Sequence, residues 1–265
     1  MNILVTGATA GIGTETARQL AAMGHTIGVH GRSAQSCQNA IEDIAGTVPS
    51  ASLRAEVCDL SSLANVRAWA ARLRDQEPLD IIVHNAGVWT NERQQTVEGL
   101  ELMWVVNHLA PFLLTTLLLD QLLERPAGRV IGVSSIGHRS GVITFEDPNL
   151  AEGFTPVRGY CQSKLANVLF TQELARRTAG TPLVALCGHP GIVNTKMLRQ
   201  TGFANQPTDT PAHGARTSVF LATDKAVAER NGRYFGDCRE ERPLTSDPEL
   251  GKRLWELSEA QCAQA

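Results

Sequence analysis

Short apolar runs alternate along the chain with segments in which apolar residues recur every three or four positions. The runs are typical of buried strands, and the recurring spacing is typical of amphipathic helices. The runs predict six strands: Ile3–Val5, Thr26–Val29, Leu53–Val57, Asp80–His84, Val130–Val133 and Leu183–Leu186. The spaced segments predict five helices: Thr14–Met23, Ser36–Ala45, Leu63–Leu73, Val105–Leu123 and Tyr160–Thr178.

The alternation of strands and helices predicts the fold class. Ile81, Ile82 and Val83 are consecutive apolar residues, which indicates a strand covered on both faces, as in a parallel sheet. Repeated strand–helix–strand units then predict an α/β, Rossmann-type, doubly wound parallel sheet flanked by helices. No linker interrupts the pattern, so residues 1–265 are interpreted as one domain. The polar segment Lys196–Pro211 is interpreted as a mobile loop over the site.

Composition narrows the classes of function. The chain has 265 residues, 43% of them hydrophobic and 19% charged, with a net charge of −3, which favours a folded protein and disfavours a nucleic-acid partner. The longest apolar stretch, Leu109–Leu119, is shorter than the ~20 residues that span a bilayer. No secretory signal is recognised, so we expect a cytoplasmic protein. Six cysteines and seven histidines are scattered, and no metal site is expected.

A glycine-rich turn follows the first predicted strand. Gly7, Gly11 and Gly13 would let the backbone approach a pyrophosphate, and the helix that follows would present free N–H groups to it. No Lys-Ser or Lys-Thr pair follows Gly13, which excludes a P-loop. The turn therefore predicts a dinucleotide site, although a plain strand-to-helix turn is the alternative for this motif alone.

Four motifs in a fixed order identify a family resemblance. They are the glycine turn after Thr6, the Asn85-Ala86-Gly87 tripeptide, the Ser134-Ser135 pair, and Tyr160 with Lys164 four positions later. This set resembles the short-chain dehydrogenase/reductase family. The residues from Gly159 to Ala175, together with His189-Pro190-Gly191, are similar to its retinol-dehydrogenase-like branch. The segment His138–Arg158, which is long compared with compact family members, is also long in that branch.

The resemblance implies a role for each matching position. Asn107 would hold a water in a proton relay, and Lys164 would also bind the nicotinamide ribose. The segment Pro190–Thr195 would fix the nicotinamide carboxamide. The implied cofactor-binding residues are Gly7, Thr9, Gly11, Ile12, Gly13, Asp59, Leu60, Asn85, Ala86, Gly87, Tyr160, Lys164, Pro190, Gly191, Val193 and Thr195.

The candidate catalytic residues are Asn107, Ser135, Tyr160 and Lys164. Tyr160 and Lys164 would share one helix face, and the ammonium is expected to lower the pKa of the phenol toward the range needed for acid–base catalysis. Successive strand residues point to opposite faces, so only one serine of the pair can face the pocket, and the family pattern favours Ser135. His84, His108, His138 and His189 are interpreted as packing or hydrogen-bonding residues, since no Gly-x-Ser-x-Gly elbow supports a hydrolase.

The end of the second strand predicts which cofactor is preferred. An enzyme that prefers NAD usually carries an acid there, whereas this chain has Arg32 and Ser33, and no acid before Glu42. A guanidinium suits bidentate binding of the 2′-phosphate, so we predict NADP(H). A surface arginine in a turn is the alternative interpretation of Arg32.

These features predict an NADP(H)-dependent oxidoreductase that interconverts a carbonyl and an alcohol, with Tyr160 as general acid/base. A lyase, epimerase or cyclisation enzyme on the same fold, or a non-catalytic dinucleotide-binding regulator, remains open. The substrate is expected to be a small apolar molecule near Met197, Leu198 and Phe203. Apolar residues beyond a single stripe in Leu109–Leu123 favour a homodimer or homotetramer, with a fully buried helix in a monomer as the alternative.

Overall fold

A single sheet of eight strands organises the chain. The computed structural model describes residues 1–201 and 208–265. The strands are β1 (Asn2–Val5), β2 (Thr26–Gly31), β3 (Ser52–Val57), β4 (Ile81–His84), β5 (Arg129–Val133), β6 (Val184–His189), β7 (Tyr234–Gly236) and β8 (Arg239–Glu241). They lie in the order β3-β2-β1-β4-β5-β6-β7-β8, and only the β7–β8 pairing is antiparallel. The order reverses between β1 and β4, where a doubly wound sheet opens a ligand crevice.

Helices cover both faces of the sheet. They are α1 (Gly11–Ala22), α2 (Ala34–Thr47), α3 (Leu63–Arg74), α4 (Leu102–Trp104), α5 (Ala110–Leu117), α6 (Leu119–Leu123), α7 (Pro156–Arg177), α8 (Lys196–Gln200), α9 (Pro211–Thr223) and α10 (Pro248–Gln264). A π turn spans Val105–Leu109, and short 3-10 turns span Ile136–Ser140 and Lys225–Val227. The apolar core lies in two layers: one beneath α1, α2 and α9, the other beneath α3, α5, α7 and α10.

The predicted α/β fold class is confirmed, and the six predicted strands coincide with β1–β6 to within a few residues. Every residue of β4 and β5 is buried, as their apolar runs predict for strands covered on both faces. Three helices begin earlier than predicted, α2 by two residues, at Ala34. Helix α1 starts at Gly11, and α7 starts at Pro156, where the Thr155 side chain accepts the Arg158 N–H and Pro156 occupies the first turn.

The prediction of one helix over Val105–Leu123 is wrong. The segment consists of the π turn followed by α5 and α6, with a break at Leu118. Pro111 has no N–H to donate to the Asn107 carbonyl four residues earlier. This explains why the helical hydrogen bonds here change to the π pattern, in which each N–H donates to the carbonyl five residues earlier. At the break, the Arg74 side chain donates to the Leu117 carbonyl at 2.7 Å. In a continuous helix this carbonyl would accept a backbone N–H from the following turn.

The elements after β6, from α8 to α10, were not predicted from the sequence. Helices α9 and α10 both have a proline in the first turn, after a capping side chain, Thr210 and Asp247 respectively. A capping residue followed by proline is a helix-start signal that could have been recognised in the sequence. Strands β7 and β8 have three residues each and are joined by a turn in which Asp237 and Cys238 have positive φ. Strands this short carry almost no periodicity.

Most of the apolar side chains of Leu109–Leu123 are buried against other parts of the same chain. Leu109, Phe112, Leu113 and Leu118 are buried in the layer that contains Trp255 of α10, whose ring lies 4.9 Å from that of Phe112. These side chains therefore need no second subunit to cover them, and the homodimer stays a prediction.

The described residues hold no helix that is both long and apolar enough to cross a membrane. Within the same residues, no cluster of three or more His, Cys, Asp or Glu side chains is arranged to hold a metal ion. A cytoplasmic location stays a prediction.

Candidate functional site

The residues singled out in the sequence meet at the carboxyl edge of the sheet. The loops that leave β1, β2, β3, β4, β5 and β6 carry, in that order, Gly7, Arg32, Asp59, Asn85, Ser135 and Pro190. Because parallel strands all end at the same edge, residues far apart in sequence lie together there.

The glycine turn after β1 leaves the start of α1 uncapped. Gly7 and Gly11 have φ of +64° and +58°, which glycine adopts without steric cost. No side chain caps α1 at Ala10, so its first N–H groups and the positive end of its dipole are free for an anion. A Cβ on Gly13 would collide with the Gly7 carbonyl and the Asn85 amide. The turn therefore has the form that a pyrophosphate needs.

Side chains from neighbouring strands hold this turn on both sides. Asn85 donates to the carbonyls of Thr6 (2.9 Å) and Gly7 (3.2 Å), and the Ala86 N–H donates to the Thr6 hydroxyl at 3.0 Å. The Asn85-Ala86-Gly87 tripeptide thus fixes the backbone of the glycine turn across the crevice between β1 and β4.

On the other side, His30 of β2 holds the turn, a role that the sequence interpretation missed. Its Nδ1 accepts the Gly7 N–H at 3.0 Å, and its Nε2 lies 3.1 Å from the Cys58 carbonyl, to which it can only donate. Both bonds require the neutral ring with the proton on Nε2. The ring stacks on Trp69 at 4.6 Å, and burial lowers the pKa of His30 to about 4. The Gly7 N–H is consequently already committed within the protein.

The end of β2 presents Arg32 to solvent. Arg32 is exposed and forms no ion pair or hydrogen bond with the residues that the structure describes. Ser33 caps α2 by accepting the Ser36 N–H at 3.2 Å and donates to the Ser36 hydroxyl at 3.0 Å. Across from it, the Asp59 carboxylate accepts the N–H and hydroxyl of Ser61, and Leu60 is buried.

The two serines after β5 point in different directions. The Ser134 hydroxyl is buried and donates to the Lys164 carbonyl at 2.8 Å. If Gly137 carried a Cβ atom, that atom would lie 3.5 Å from the Ser135 hydroxyl oxygen and 3.6 Å from Cε1 of Tyr160. The serine hydroxyl and the tyrosine ring are therefore both next to Gly137. The Ser135 oxygen also accepts the Gly137 N–H at 3.1 Å. Ser135, and not Ser134, therefore lies beside Tyr160.

Lys164 and Asn107 approach the site from the side of Gly87. A Cβ on Gly87 would lie 3.4 Å from both Nζ of Lys164 and Oδ1 of Asn107. Lys164 is buried, and its ammonium donates to the Val133 carbonyl at 2.9 Å. Asn107, in the π turn, accepts the Val88 N–H at 2.7 Å and donates to the Val88 carbonyl and the Ser163 hydroxyl.

The expectation that Lys164 lowers the pKa of Tyr160 is wrong for the protein alone. Burial raises the pKa of Tyr160 to about 12, and the hydrogen bond with Ser135 only partly offsets this. Nζ of Lys164 lies 5.6 Å from the centre of the tyrosine ring and is directed to the Val133 carbonyl. Burial also lowers the pKa of Lys164 to about 8. At pH 7 the phenol therefore keeps its proton, and the lysine is mostly charged.

The segment after β6 closes the site against the glycine turn. Gly191 has φ +81°, Val193 is buried, and a Cβ on Gly11 would lie 3.5 Å from the Thr195 side chain. Thr195 also caps α8 by accepting the Leu198 N–H. The interpretation of Lys196–Pro211 as a loop is wrong for Lys196–Gln200, which form α8 behind this cap. Phe203 lies outside the described residues.

Two apolar side chains lie near Tyr160 and Gly87. The ring of Trp89, which the sequence interpretation missed, lies 5.3 Å from the ring of Tyr160. A Cβ on Gly87 would lie 3.7 Å from the end of Met197. Four apolar side chains in the segments that follow β5, β6 and β8 are exposed, Ile136, Val142, Ile192 and Leu244. The position of Trp89, two residues after Gly87, is the signal that could have revealed it.

The four histidines near the motifs are partnered as expected. His84 bonds the Thr115 hydroxyl at 2.7 Å, and His108 bonds the Ser258 hydroxyl at 2.8 Å. His138 bonds the Ser135 carbonyl, and His189 accepts the Gly191 N–H. None of the four forms a hydrogen bond with a serine hydroxyl at the Tyr160 site among the described residues.

Comparison with known proteins agrees with this geometry. Residues 1–205 match the family model described as short chain dehydrogenase. Human retinol dehydrogenase 13 is 36% identical over 270 residues, covering 96% of this chain and 82% of its own length. Human retinol dehydrogenase 12 is 35% identical, covering 97% of this chain and 84% of its own length.

Solved structures match over a similar extent. An uncharacterised protein from Mycobacterium Paratuberculosis is 32% identical with a TM-score of 0.82, covering 99% of this chain and 93% of its own. A short chain dehydrogenase from Shigella flexneri, complexed with NADP, is 27% identical with a TM-score of 0.74, covering 90% of this chain and 97% of its own.

Proposed function

Because this chain belongs to the short-chain dehydrogenase family, we propose that it is an NADP(H)-dependent oxidoreductase that reduces an aldehyde or ketone, or oxidises the corresponding alcohol. One observation carries the proposal: the Ser135 hydroxyl and the Tyr160 side chain lie next to each other at the sheet edge that also bears the uncapped start of α1. A carbonyl oxygen bound between them would meet two hydroxyl groups that can donate to it.

The residues of the crevice fit a nicotinamide dinucleotide, which when bound supplies or accepts the hydride. The uncapped N–H groups at the start of α1, beside Gly11 and Gly13, would hold the pyrophosphate. Asp59 and Leu60 would lie beside the adenine, and the segment Pro190–Thr195 beside the nicotinamide. Lys164 and Tyr160 would bind the ribose, as the family resemblance implies.

Arg32 supports NADP(H) over NAD(H). Its guanidinium is exposed and uncommitted among the described residues, at the start of α2. The nearest acid along the sheet edge, Asp59, has its carboxylate oxygen bonded to Ser61. A 2′-phosphate here would meet a free cation and the positive end of a helix dipole. Ser33 would add its hydroxyl only by giving up its bond to Ser36.

Tyr160 would deliver the proton in the direction of reduction. Burial raises its pKa to about 12, so the phenol holds a proton at neutral pH, and Ser135 is positioned to stabilise negative charge that develops on the substrate oxygen. The buried Lys164 ammonium and the Asn107 amide meet near Gly87, on the side from which a proton would be replaced.

The substrate we propose is an apolar carbonyl or alcohol. The Trp89 ring beside Tyr160 and the end of Met197 near Gly87 support this choice, because apolar surface recognises a ligand mainly by removing its apolar area from water. A polar sugar would find few partners on these walls.

The decisive test supplies NADPH with a panel of aliphatic and aromatic aldehydes, ketones, sugars and hydroxy acids, and follows NADPH absorbance. We expect turnover of apolar carbonyl compounds that is strongly reduced, but still measurable, in Ser135→Ala and Tyr160→Phe. Binding of NADPH without turnover of any carbonyl compound would favour a regulator or a non-redox enzyme. Turnover limited to sugars and hydroxy acids would contradict the proposed substrate class.

A further inference from the structure

Behind Ser135, on the side away from Tyr160, lies a buried hydrogen-bonded network. His138 is fully buried, its Nδ1 is 2.7 Å from the Ser135 carbonyl, and its Nε2 is 3.2 Å from the Leu244 backbone nitrogen. A backbone N–H can only donate, so Nε2 is the acceptor and Nδ1 carries the proton in the neutral ring. Nδ1 then donates to the Ser135 carbonyl.

Tyr234 of β7 extends the network beyond His138. Its ring is buried 4.7 Å from the His138 ring, and its hydroxyl oxygen lies 3.2 Å from Nδ1 of His138. Nδ1 carries one hydrogen, so the Tyr234 oxygen can only share it with the Ser135 carbonyl, as a second and longer acceptor. Tyr234 and the Leu244 N–H therefore hold the two nitrogens of the His138 ring in place.

The charged groups around this network lie on its outer side. The His189 ring stacks 5.8 Å from that of Tyr234, and its Nε2 is 3.4 Å from Glu241. Glu241 also pairs with Arg139 at 3.2 Å. No charged side chain that the structure describes forms a hydrogen bond with His138 or Tyr234.

We propose that His138, held in orientation by Tyr234, is a positioning residue that holds the backbone of Ser135, so that the Ser135 hydroxyl meets the reacting oxygen. The His138 ring donates to the Ser135 carbonyl, and both rings are buried. The inference rests on the proposed function, since it assigns Tyr234 and His138 an effect that passes through Ser135.

The test is a double-mutant cycle of Tyr234→Phe with Ser135→Ala. The Phe ring keeps its packing and loses only the hydroxyl, so we expect kcat to fall about tenfold, the loss of one buried hydrogen bond. KM for NADPH and its Kd, measured by fluorescence titration, should change less than about twofold. In the Ser135→Ala background the same substitution should cost almost nothing, because the group through which it acts is gone.

A merely structural role would give a different result: the two losses would multiply. The same tenfold cost in the Ser135→Ala background would therefore overturn the inference. If Ser135→Ala alone left kcat unchanged, the proposed function of Ser135 would fail as well, and the two failures are distinguishable by that single variant.

A second pair of variants gives the same answer if Tyr234→Phe does not fold. His138→Ala removes the donor to the Ser135 carbonyl, whereas the amide of His138→Asn can replace it. We expect Asn to restore most of the kcat lost in Ala, and equal kcat in the two variants would refute the role of the donor. Thr178→Val removes one buried hydroxyl bond at the far end of α7 and should leave kcat unchanged.

Discussion

The two halves of the sheet build their parts of the site in different ways. Around β1, β2 and β4, the groups offered to a ligand are backbone N–H groups and glycines, held by Asn85 and His30 from adjacent strands. Around β5 and β6, the groups are the side chains of Ser135, Tyr160 and Lys164. Behind them, the Ser135 carbonyl accepts from His138, which is bonded in turn to Tyr234 and Leu244, 96 and 106 positions away.

We expect this difference to separate binding from turnover in part. A change in the first half should alter cofactor affinity or preference and leave the chemical step nearly intact. Loss of the Ser135 or Tyr160 hydroxyl should alter kcat and leave cofactor binding nearly intact, whereas loss of Lys164, which would bind the ribose, should alter both. Three kinetic experiments test this division, and a fourth measures stability.

Tyr160→Phe should have the largest effect. The ring still packs against Trp89, but the proton donor is lost, so we expect kcat to fall about a thousandfold or more. Steady-state kinetics measures this loss, and fluorescence titration should give an unchanged Kd for NADPH. A Phe variant with a near-normal rate would end the assignment of Tyr160 as the acid.

Arg32→Asp should erase or invert the cofactor preference. We expect the wild type to favour NADP(H) in kcat/KM by about one to three powers of ten, or roughly 1.4–4 kcal/mol, because the guanidinium binds a phosphate that the carboxylate would repel. The control Arg239→Asp makes the same charge change on β8, at the far edge of the sheet. Equal kcat/KM for NADPH and NADH in the wild type would show that Arg32 does not bind the 2′-phosphate.

His30→Ala should weaken cofactor binding more modestly. It removes the acceptor of the Gly7 N–H and the stacking on Trp69, so the glycine turn loses support on one side. We expect the Kd for NADPH to rise about tenfold, equivalent to one lost hydrogen bond, with kcat at saturating cofactor little changed. His30→Asn keeps an acceptor near the position of Nδ1 and should recover part of the affinity. A large fall in kcat with unchanged Kd would contradict the division of the two halves.

The last experiment measures stability in mild acid and is independent of the activity changes. Burial lowers the pKa of His30 to about 4 and of His84 and His108 to about 3, below the value of 6.5 in an unfolded chain. The unfolded state therefore binds more protons between pH 6.5 and 4, and stability is lost as the pH falls through that window. The loss is at most about 1.4 kcal/mol per pH unit for each histidine. Urea unfolding at pH 7, 6 and 5 measures it, and equal stability at all three values would contradict the buried, neutral state of these rings.

The sequence by itself determined the first six strands, the glycine turn and the spacing of Tyr160 and Lys164. These features depend on local rules: apolar runs form buried strands, glycine permits positive φ, and residues four apart share a helix face. The same rules implied that only one of Ser134 and Ser135 could face the pocket, since neighbouring residues of a strand alternate. Local rules of this kind act within one element and need no knowledge of its neighbours.

Only the tertiary structure decided the rest. The protonation of Tyr160 depends on burial by segments distant in sequence, so the phenol pKa rises although a lysine lies four positions away. The roles of His30 and Tyr234 depend on partners 23 and 96 positions away, which no spacing pattern announces. The break at Leu118 requires Arg74 from another helix. Desolvation and long-range hydrogen bonds exist only once the chain has folded, and they set the chemistry of the residues that local patterns had already located.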